Sequence, residues 1–498
     1  MNIPEQVDYL VNQLNAQQYD LKLSSSYYDG TFRVRSIGLS TPPELRVLAT
    51  AVGWSRLYVD TLTSRLCLKS FRATDPLDKK KQKRAEEPPA EFDPLAPPAP
   101  PESPPPSPTQ DAVDKINQWW VANNLDERHI LGIKEALIHG RAYITISKPD
   151  PTDPLADPDV PVIKVESPYH LYAEIDPRTD RVTRAIRLYK EQREVLHEWA
   201  TLYLPDLTAY LRFENSRWVV ESVDRHNLGV VPVVPLIGDD RLTSPYGTSV
   251  ITPELRTLTD AGQRTLMNLQ AAMEVMALPQ KLIFGVEQSE LVELDDDGNP
   301  KPGQLMDAYM GRILTFENEM GKAFQFQAAD LRNFCEVLDQ LAKHVASYTG
   351  LPPQYLSFSS DNPASAEAIG ATEARLVRTC ELLGKTLGGK FEQAMLVACQ
   401  VMGVEITPEL RRLESAWQNP ATPTYASVMD AAVKGYGNGN GIIPKERARM
   451  DIGYSDEERQ EMRLWDQEEA SVYAENVMRM MATSDVPPGG DDTEPPPK

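Results

Sequence analysis

From Thr252 onward the chain carries a helical period. Leu255, Leu258, Leu266, Leu269, Met273 and Met276 recur mostly at three- and four-residue steps, so one face of a long helix is apolar. Thr252-Pro253-Glu254 is a helix start, with proline in the first turn and an acid beside it. At ~1.5 Å per residue the helix spans roughly 39 Å up to Ala277, and Pro279 ends it. A second helix is predicted over about 328–349, with Leu331, Phe334, Leu338, Leu341, Val345 and Tyr348 on one side. It stops at Gly350-Leu351-Pro352-Pro353. Between the two, 281–286, 312–316 and 323–327 read as short strands around an acidic turn, Asp295-Asp296-Asp297-Gly298.

Upstream the period changes to two. Alternation predicts strands at 142–147, 162–166, 182–188, 200–204 and 217–223, after one helix carrying Trp119 and Trp120 and another stopping near Gly140. The tryptophans suit core anchors. Pro4 and Glu5 open a short helix, and Thr41-Pro42-Pro43-Glu44 begins another that runs to about Leu66. Downstream of the helix pair come a polar loop, 354–364, and a long helical stretch, 365–402. Gly384, Gly388 and Gly389 predict a bend in that stretch. Shorter helices follow, one opened by the capping box Ser455-Asp456-Glu457-Glu458. The fold class is α+β.

Composition changes the picture in three places. Residues 73–110 hold a basic run, Lys79 to Arg84, and twelve prolines from Pro76 to Pro108, which predicts an extended insertion. The tail, 485–498, is rich in Pro, Gly and acid and predicts disorder. The net charge of −22 argues against a protein that grips nucleic acid, yet suits one that lets DNA slide past. The four cysteines form no CxxC pair, which suits a reducing compartment. No signal peptide is visible at Met1-Asn2-Ile3-Pro4-Glu5. The best apolar run, 228–237, is short of a membrane span and contains Pro232 and Pro235.

Motifs for chemistry fail on inspection. Gly384-Lys385-Thr386 resembles the end of a phosphate-binding loop, but Thr379 stands where the first glycine belongs and the segment reads as helix. The acidic turn places Asp295, Asp297 and Gly298 as a calcium loop would, but Gln304 replaces the bidentate glutamate. The six histidines show no close metal-ligand pairing, and no GxSxG elbow exists. No catalytic residue, metal or cofactor is expected.

Several segments resemble the portal proteins of long-tailed double-stranded DNA phages, in wording closest to those of actinobacterial phages. They are Leu48–Leu66, Trp119–Tyr143 ending in Ala136-Leu137-Ile138-His139-Gly140-Arg141-Ala142-Tyr143, Val165-Glu166-Ser167-Pro168 and Ala200-Thr201-Leu202-Tyr203-Leu204-Pro205. They continue with Leu228-Gly229-Val230-Val231-Pro232-Val233-Val234-Pro235, Tyr246-Gly247-Thr248-Ser249 and Thr349-Gly350-Leu351-Pro352-Pro353. Each is short, and their order along the chain carries the resemblance. The insertion at 73–110 departs from it.

The resemblance implies a non-enzymatic subunit of a dodecameric ring at one capsid vertex. Its wing would be 1–250, its stem helices 251–277 and 328–350, its clip 278–327 and its tunnel loop 351–364. The long bent helix, 365–402, would return to the wing, with a crown at 403–484. Leu255, Leu258, Leu269, Met273, Leu331, Leu338, Leu341 and Val345 would lie between neighbours in the ring. Gln354, Ser357, Ser359, Ser360, Asp361 and Asn362 would face DNA in the channel, and Asp295, Asp296 and Asp297 would meet partners at the clip. Those partners would be the large terminase subunit and then head–tail connector proteins, with major capsid and scaffold proteins around the ring. The location would be the virion, after assembly in the host cytoplasm. Two alternatives stay open: another phage head protein such as a scaffold, and an intracellular enzyme with an unrecognised site.

Overall fold

The computed structural model describes residues 2–32, 51–73, 108–192, 196–239, 241–276, 281–284, 313–316, 324–325, 331–356, 366–421, 425–437, 441–454, 458–469 and 471–472. They fall into two compact units, Met1–Pro420 and Ala421–Lys498.

The first helix, α1 (Ile3–Tyr28), is longer than the short helix predicted from its start. The Asn2 side chain accepts from the Glu5 N–H at 2.9 Å and the Glu5 carboxylate accepts from the Asn2 N–H at 3.1 Å, which satisfies two orphan donors. Val7, Leu10, Leu14 and Leu21 then keep one face buried to the far end. Val7 and Leu10 pack on Ile186, Ala200, Leu202, Ala209, Leu211 and Trp218. These residues form one face of a five-stranded antiparallel sheet, β4 (Leu171–Ile175), β5 (Val182–Gln192), β6 (Leu196–Tyr203), β7 (Thr208–Glu214) and β8 (Arg217–Asp224), in that order.

The main core lies beside it. Helices α2 (Trp54–Arg65), α3 (Pro108–Ala122) and α4 (Leu125–His139) pack with a three-stranded sheet in the order β3 (Val162–Glu166), β2 (Arg141–Ser147) and β9 (Val233–Ile237). The apolar run ending at Ile237 is therefore an edge strand. Among the described residues it pairs only with β2, and a proline such as Pro235 costs no ladder bond there. Among the described residues no helix is long and apolar enough to cross a membrane. Trp120 sits edge-on to Phe71 and Phe391 at 5.2 and 5.5 Å between ring centres, as a core anchor.

The long helix α7 (Ala366–Met402) follows the stretch predicted over 365–402. It runs as one helix of 37 residues through all three glycines. A strand lies against it: β13 (Leu413–Trp417), which pairs antiparallel with β1 (Leu68–Ala73). A Cβ at Gly388 would stand 3.0 Å from Trp417 Nε1, and one at Gly384 would stand 3.6 Å from Trp417 Cδ2. Those glycines allow close approach of β13 and do not break the helix. The pairing also places 413–417 in the larger unit. Gly384-Lys385-Thr386 lies inside α7, so its N–H groups are engaged in the helix and cannot cradle phosphates.

The two amphipathic helices are α5 (Pro253–Met276) and α6 (Arg332–Thr349), packed on each other. Between them β10 (Lys281–Phe284) pairs parallel with β11 (Ile313–Phe316) and antiparallel with β12 (Phe324–Gln325). In the C-terminal unit, α8 (Tyr425–Tyr436) packs with α9 (Lys445–Ile452). There Lys445 and Arg449 both donate to Asp466, which holds its carboxyl down at about 2. The Thr41 helix start, the capping box at Ser455, the insertion and the tail lie outside the described residues, apart from the ends of the insertion at 73 and 108–110.

Candidate functional site

The two amphipathic helices meet at a junction where α1, α2, α5, α6 and α7 are tied together by polar side chains. At the start of α5, Thr252 Oγ1 accepts from the Leu255 N–H at 3.4 Å, acting as a helix cap. The same oxygen lies 2.8 Å from the Tyr348 hydroxyl, which donates to Glu254 at 3.2 Å. The first turn of α5 is thereby fastened to the last turn of α6. Gly350 closes α6 with φ of 75°. Arg375, from α7, donates to the carbonyls of Ser347 and Tyr348 at 2.8 and 3.4 Å, placing a cation at the negative end of α6.

The chain leaves α6 through Leu351, which is buried, and two prolines into a single turn, Pro353–Tyr355. There Tyr355 donates to Glu373 at 2.6 Å, and Arg65 donates to the Tyr355 oxygen at 3.0 Å. Arg65 also pairs with Glu373 at 3.2 Å, with side-chain exposures of only 8% and 12%. Its other amine donates to the Pro420 carbonyl at 2.9 Å. Burial, and then the Glu373 hydrogen bond, push the Tyr355 phenol upward, so it stays a donor.

The N-terminal region joins the same junction. Arg256 of α5 donates to the Ile251 carbonyl and to Ser24 of α1, each at 2.9 Å. Tyr27 donates to Asp260 at 3.0 and 3.1 Å, and burial raises that carboxyl's pKa. Gly140 ends α4 with φ of 86° and faces Gly247, whose φ is 72°. A Cβ on Gly140 would meet the Thr248 backbone at 2.8 Å, so the turn before α5 is pressed against the end of α4. Arg141 covers the Tyr246 ring at 5.3 Å and donates to its carbonyl at 3.3 Å.

This geometry sorts the residues singled out from the sequence. Leu255 and Val345 are fully buried in the chain's own packing at the junction. Leu258, Leu269, Leu331, Leu338 and Leu341 are half-buried, and Met273 is 51% exposed. Gln354 is exposed and donates to Thr372 at 3.2 Å. Ser357, Ser359, Ser360, Asp361 and Asn362, with Asp295, Asp296 and Asp297, lie outside the described residues.

Sequence reasoning missed Arg65, Glu373, Arg375 and Tyr355. An arginine and a glutamate 308 positions apart carry no local signal that they pair. Gly140 and Gly247 were each inside a quoted segment, but nothing in the sequence said that they touch.

The buried reactive groups have structural roles. His129 Nε2 accepts from the Leu68 N–H at 3.1 Å and its Nδ1 donates to the Leu125 carbonyl at 2.7 Å, while burial keeps the ring neutral. Burial pushes the thiols of Cys380 and Cys399 up to about 11 and about 12, which leaves them unreactive. Among the described residues, no group of three His, Cys, Asp or Glu side chains could hold a metal ion.

Residues 8–473 match the model of the family described as phage portal protein, SPP1 Gp6-like. The chain belongs to the phage portal protein family. It is similar to the portal protein of Mycobacterium phage D29, 46% identical over 93% of this chain and 89% of that one. The portal protein of Mycobacterium phage L5 is 45% identical over 96% of this chain and 91% of its own length. Among solved structures, a chain from the virion of a native gene transfer agent particle covers 69% of this chain and 84% of its own length. Its TM-score is 0.38 at 14% identity, too distant to carry an argument. Membership of the portal family spans both the junction and the helices that meet there.

Proposed function

We propose that this chain is the portal subunit of a tailed double-stranded DNA phage, forming a ring at one capsid vertex through which DNA enters and leaves. The observation that carries the reading is membership of the portal family over residues 8–473. Apolar surface left open on the paired helices supports assembly: Met273 on α5 is 51% exposed and Val337 on α6 48%. A closed ring of head-to-tail copies would cover such faces repeatedly.

In this reading the ring is a dodecamer and the subunit is non-enzymatic, with packaging driven by a separate terminase. The wing is 1–250, the stem 251–277 and 328–350, the clip 278–327 and the tunnel loop 351–364. Helix 365–402 returns to the wing. The crown is 403–484, and its first strand, β13, pairs with β1. Half-buried Leu258, Leu269, Leu331, Leu338 and Leu341, with Met273, form the contact between neighbours. Ser357, Ser359, Ser360, Asp361 and Asn362 are short or acidic side chains that offer phosphates no cation, so DNA passes without being gripped. Asp295, Asp296 and Asp297 belong to the surface that docks terminase and then head–tail connectors. The ring sits in the virion among capsid and scaffold proteins, after assembly in the host cytoplasm.

Electron microscopy of the purified full-length protein tests the reading. Closed rings with a central hole are the expected result. A protein that stays monomeric at micromolar concentration, alone and with its capsid protein, would overturn it.

A further inference from the structure

Strand alternation sends Arg187 and Tyr189 of β5, Thr201 and Tyr203 of β6, and Thr208 and Tyr210 of β7 to one face of the five-stranded sheet. Part of that face is covered where Tyr203 packs with Tyr143, Val231 and Val233. The rest forms one wall of a cleft of about 430 Å³. The ends of β2 and β3 form the opposite wall, and residues 400–403 at the end of α7 close it.

The charge of this cleft runs against that of the chain. Lys148, Lys164, Arg187 and Arg225 line it, and Asp224 is the sole carboxylate among the described lining residues. The net charge of the whole chain is −22. Arg187 is paired, with Glu166 at 2.9 Å. Lys148, Lys164 and Arg225 are exposed and make no ion pair among the described residues. Asp150 and Asp224 both bear on Tyr210 and partly offset the positive field. One polar group in the cleft also lacks a partner. The Arg187 Nε is buried without one. Tyr203, which lines the cleft beside it, is 8% exposed. A buried donor left open costs free energy unless a ligand accepts from it.

We infer that this cleft binds an acidic peptide segment of a partner protein, seating a carboxylate against Tyr203 and Arg187 with its neighbours against Lys148, Lys164 and Arg225. The volume suits one or two side chains of an extended segment. Duplex DNA fits poorly, because its phosphates lie along a rod and need a basic stripe on a convex or open surface. The site stands independently of the ring and channel.

The test is fluorescence anisotropy of a fluorescein-labelled hexaglutamate peptide with the full-length protein. The double variant Lys148→Glu/Arg225→Glu should weaken binding by about tenfold or more, since both cations face the bound carboxylates. A charge-matched control, Lys115→Glu/Arg128→Glu on exposed positions of α3 and α4, should change it less than about twofold. Tyr203→Phe should weaken binding by about three- to tenfold through loss of one donor to a charged acceptor. Equal losses in both double variants would reduce the effect to net charge and overturn the inference, as would absence of binding to the wild-type protein. Displacement of the peptide by a short DNA duplex at the same charge concentration would assign the cleft to nucleic acid. All the exposed variants should keep the wild-type circular dichroism and melting curve.

Discussion

Helix α7 and the α5–α6 pair are both long and amphipathic, but the chain covers them differently. On α7, Leu387, Phe391, Ala394, Met395, Ala398 and Cys399 are all fully buried in the main core. On α6, burial is confined to the last two turns, at Ala342, Val345, Ala346 and Thr349. Farther out, Phe334, Leu338 and Leu341 are only half-buried. Burial on α5 fades in the same direction, from Leu255 at the junction to Met273. Apolar area gains roughly 25 cal/mol per Å² when removed from water, so the outer parts of α5 and α6 retain a driving force that α7 has already used. A helix that is finished within its own chain holds the fold; a helix left half-covered is available for assembly.

The comparison breaks most sharply at Leu338. Leu338→Asp places a carboxylate on the half-covered face, and its desolvation in an assembled ring costs several kcal/mol per copy. Rings should be lost while the thermal unfolding of the monomer changes little; analytical ultracentrifugation reads the first and calorimetry the second. Leu269→Asp should behave alike. A normal closed ring in either variant would show that these faces stay open in the assembly.

The opposite pattern is expected on α7. Phe391→Ala removes a fully buried ring packed against Trp120 and should destabilise the monomer by about 3–5 kcal/mol, read from denaturant midpoints. Any ring formed from folded copies should keep its size.

Between these extremes lies the junction. Glu373→Gln leaves Arg65 with no counter-charge at 8% side-chain exposure, and the expected loss is about 1–3 kcal/mol. Tyr355→Phe should cost less, because the Arg65–Glu373 pair survives.

Acid should also act at His139. His139 is buried beside Tyr169, and burial lowers its pKa from 6.5 to about 4. Glu135 stands 3.6 Å from Nε2, but it already accepts from the Ser167 hydroxyl at 2.6 Å, and burial of the ring outweighs it. The unfolded chain therefore binds a proton that the folded one refuses. His139 contributes its full stability above pH 6.5, and that contribution falls as pH drops toward about 4. His139→Gln should flatten the unfolding midpoint across that window. The smallest effect belongs to the exposed pair Lys434–Asp430, where Lys434→Ala should change stability by less than about 0.5 kcal/mol.

Legibility followed the range of the interactions. The strand at Val162–Glu166 and both amphipathic helices appeared nearly at their structural bounds, because period two and period 3.6 are written locally. The meander was read only in part: β4 and β7 were missed, because pairing with neighbours in the sheet does as much as their own residues to make them strands. Strands β1 and β13 were missed because they pair across more than 300 residues. The close approach of β13 at Gly388 was not legible for the same reason.

By itself, then, the sequence determined the α+β class, the two apolar helix faces and, through the order of its segments, membership of the portal family. Those features depend on residues near one another or on wording along the chain. Only the tertiary structure decided which apolar faces the chain closes for itself and which it leaves open. It alone brought Arg65 to Glu373, set Gly140 against Gly247, and gathered Lys148, Lys164 and Arg225 around one cleft. Each of those pairings joins strands or helices far apart in sequence, and burial, which gives them their energy, is a property of the packed molecule.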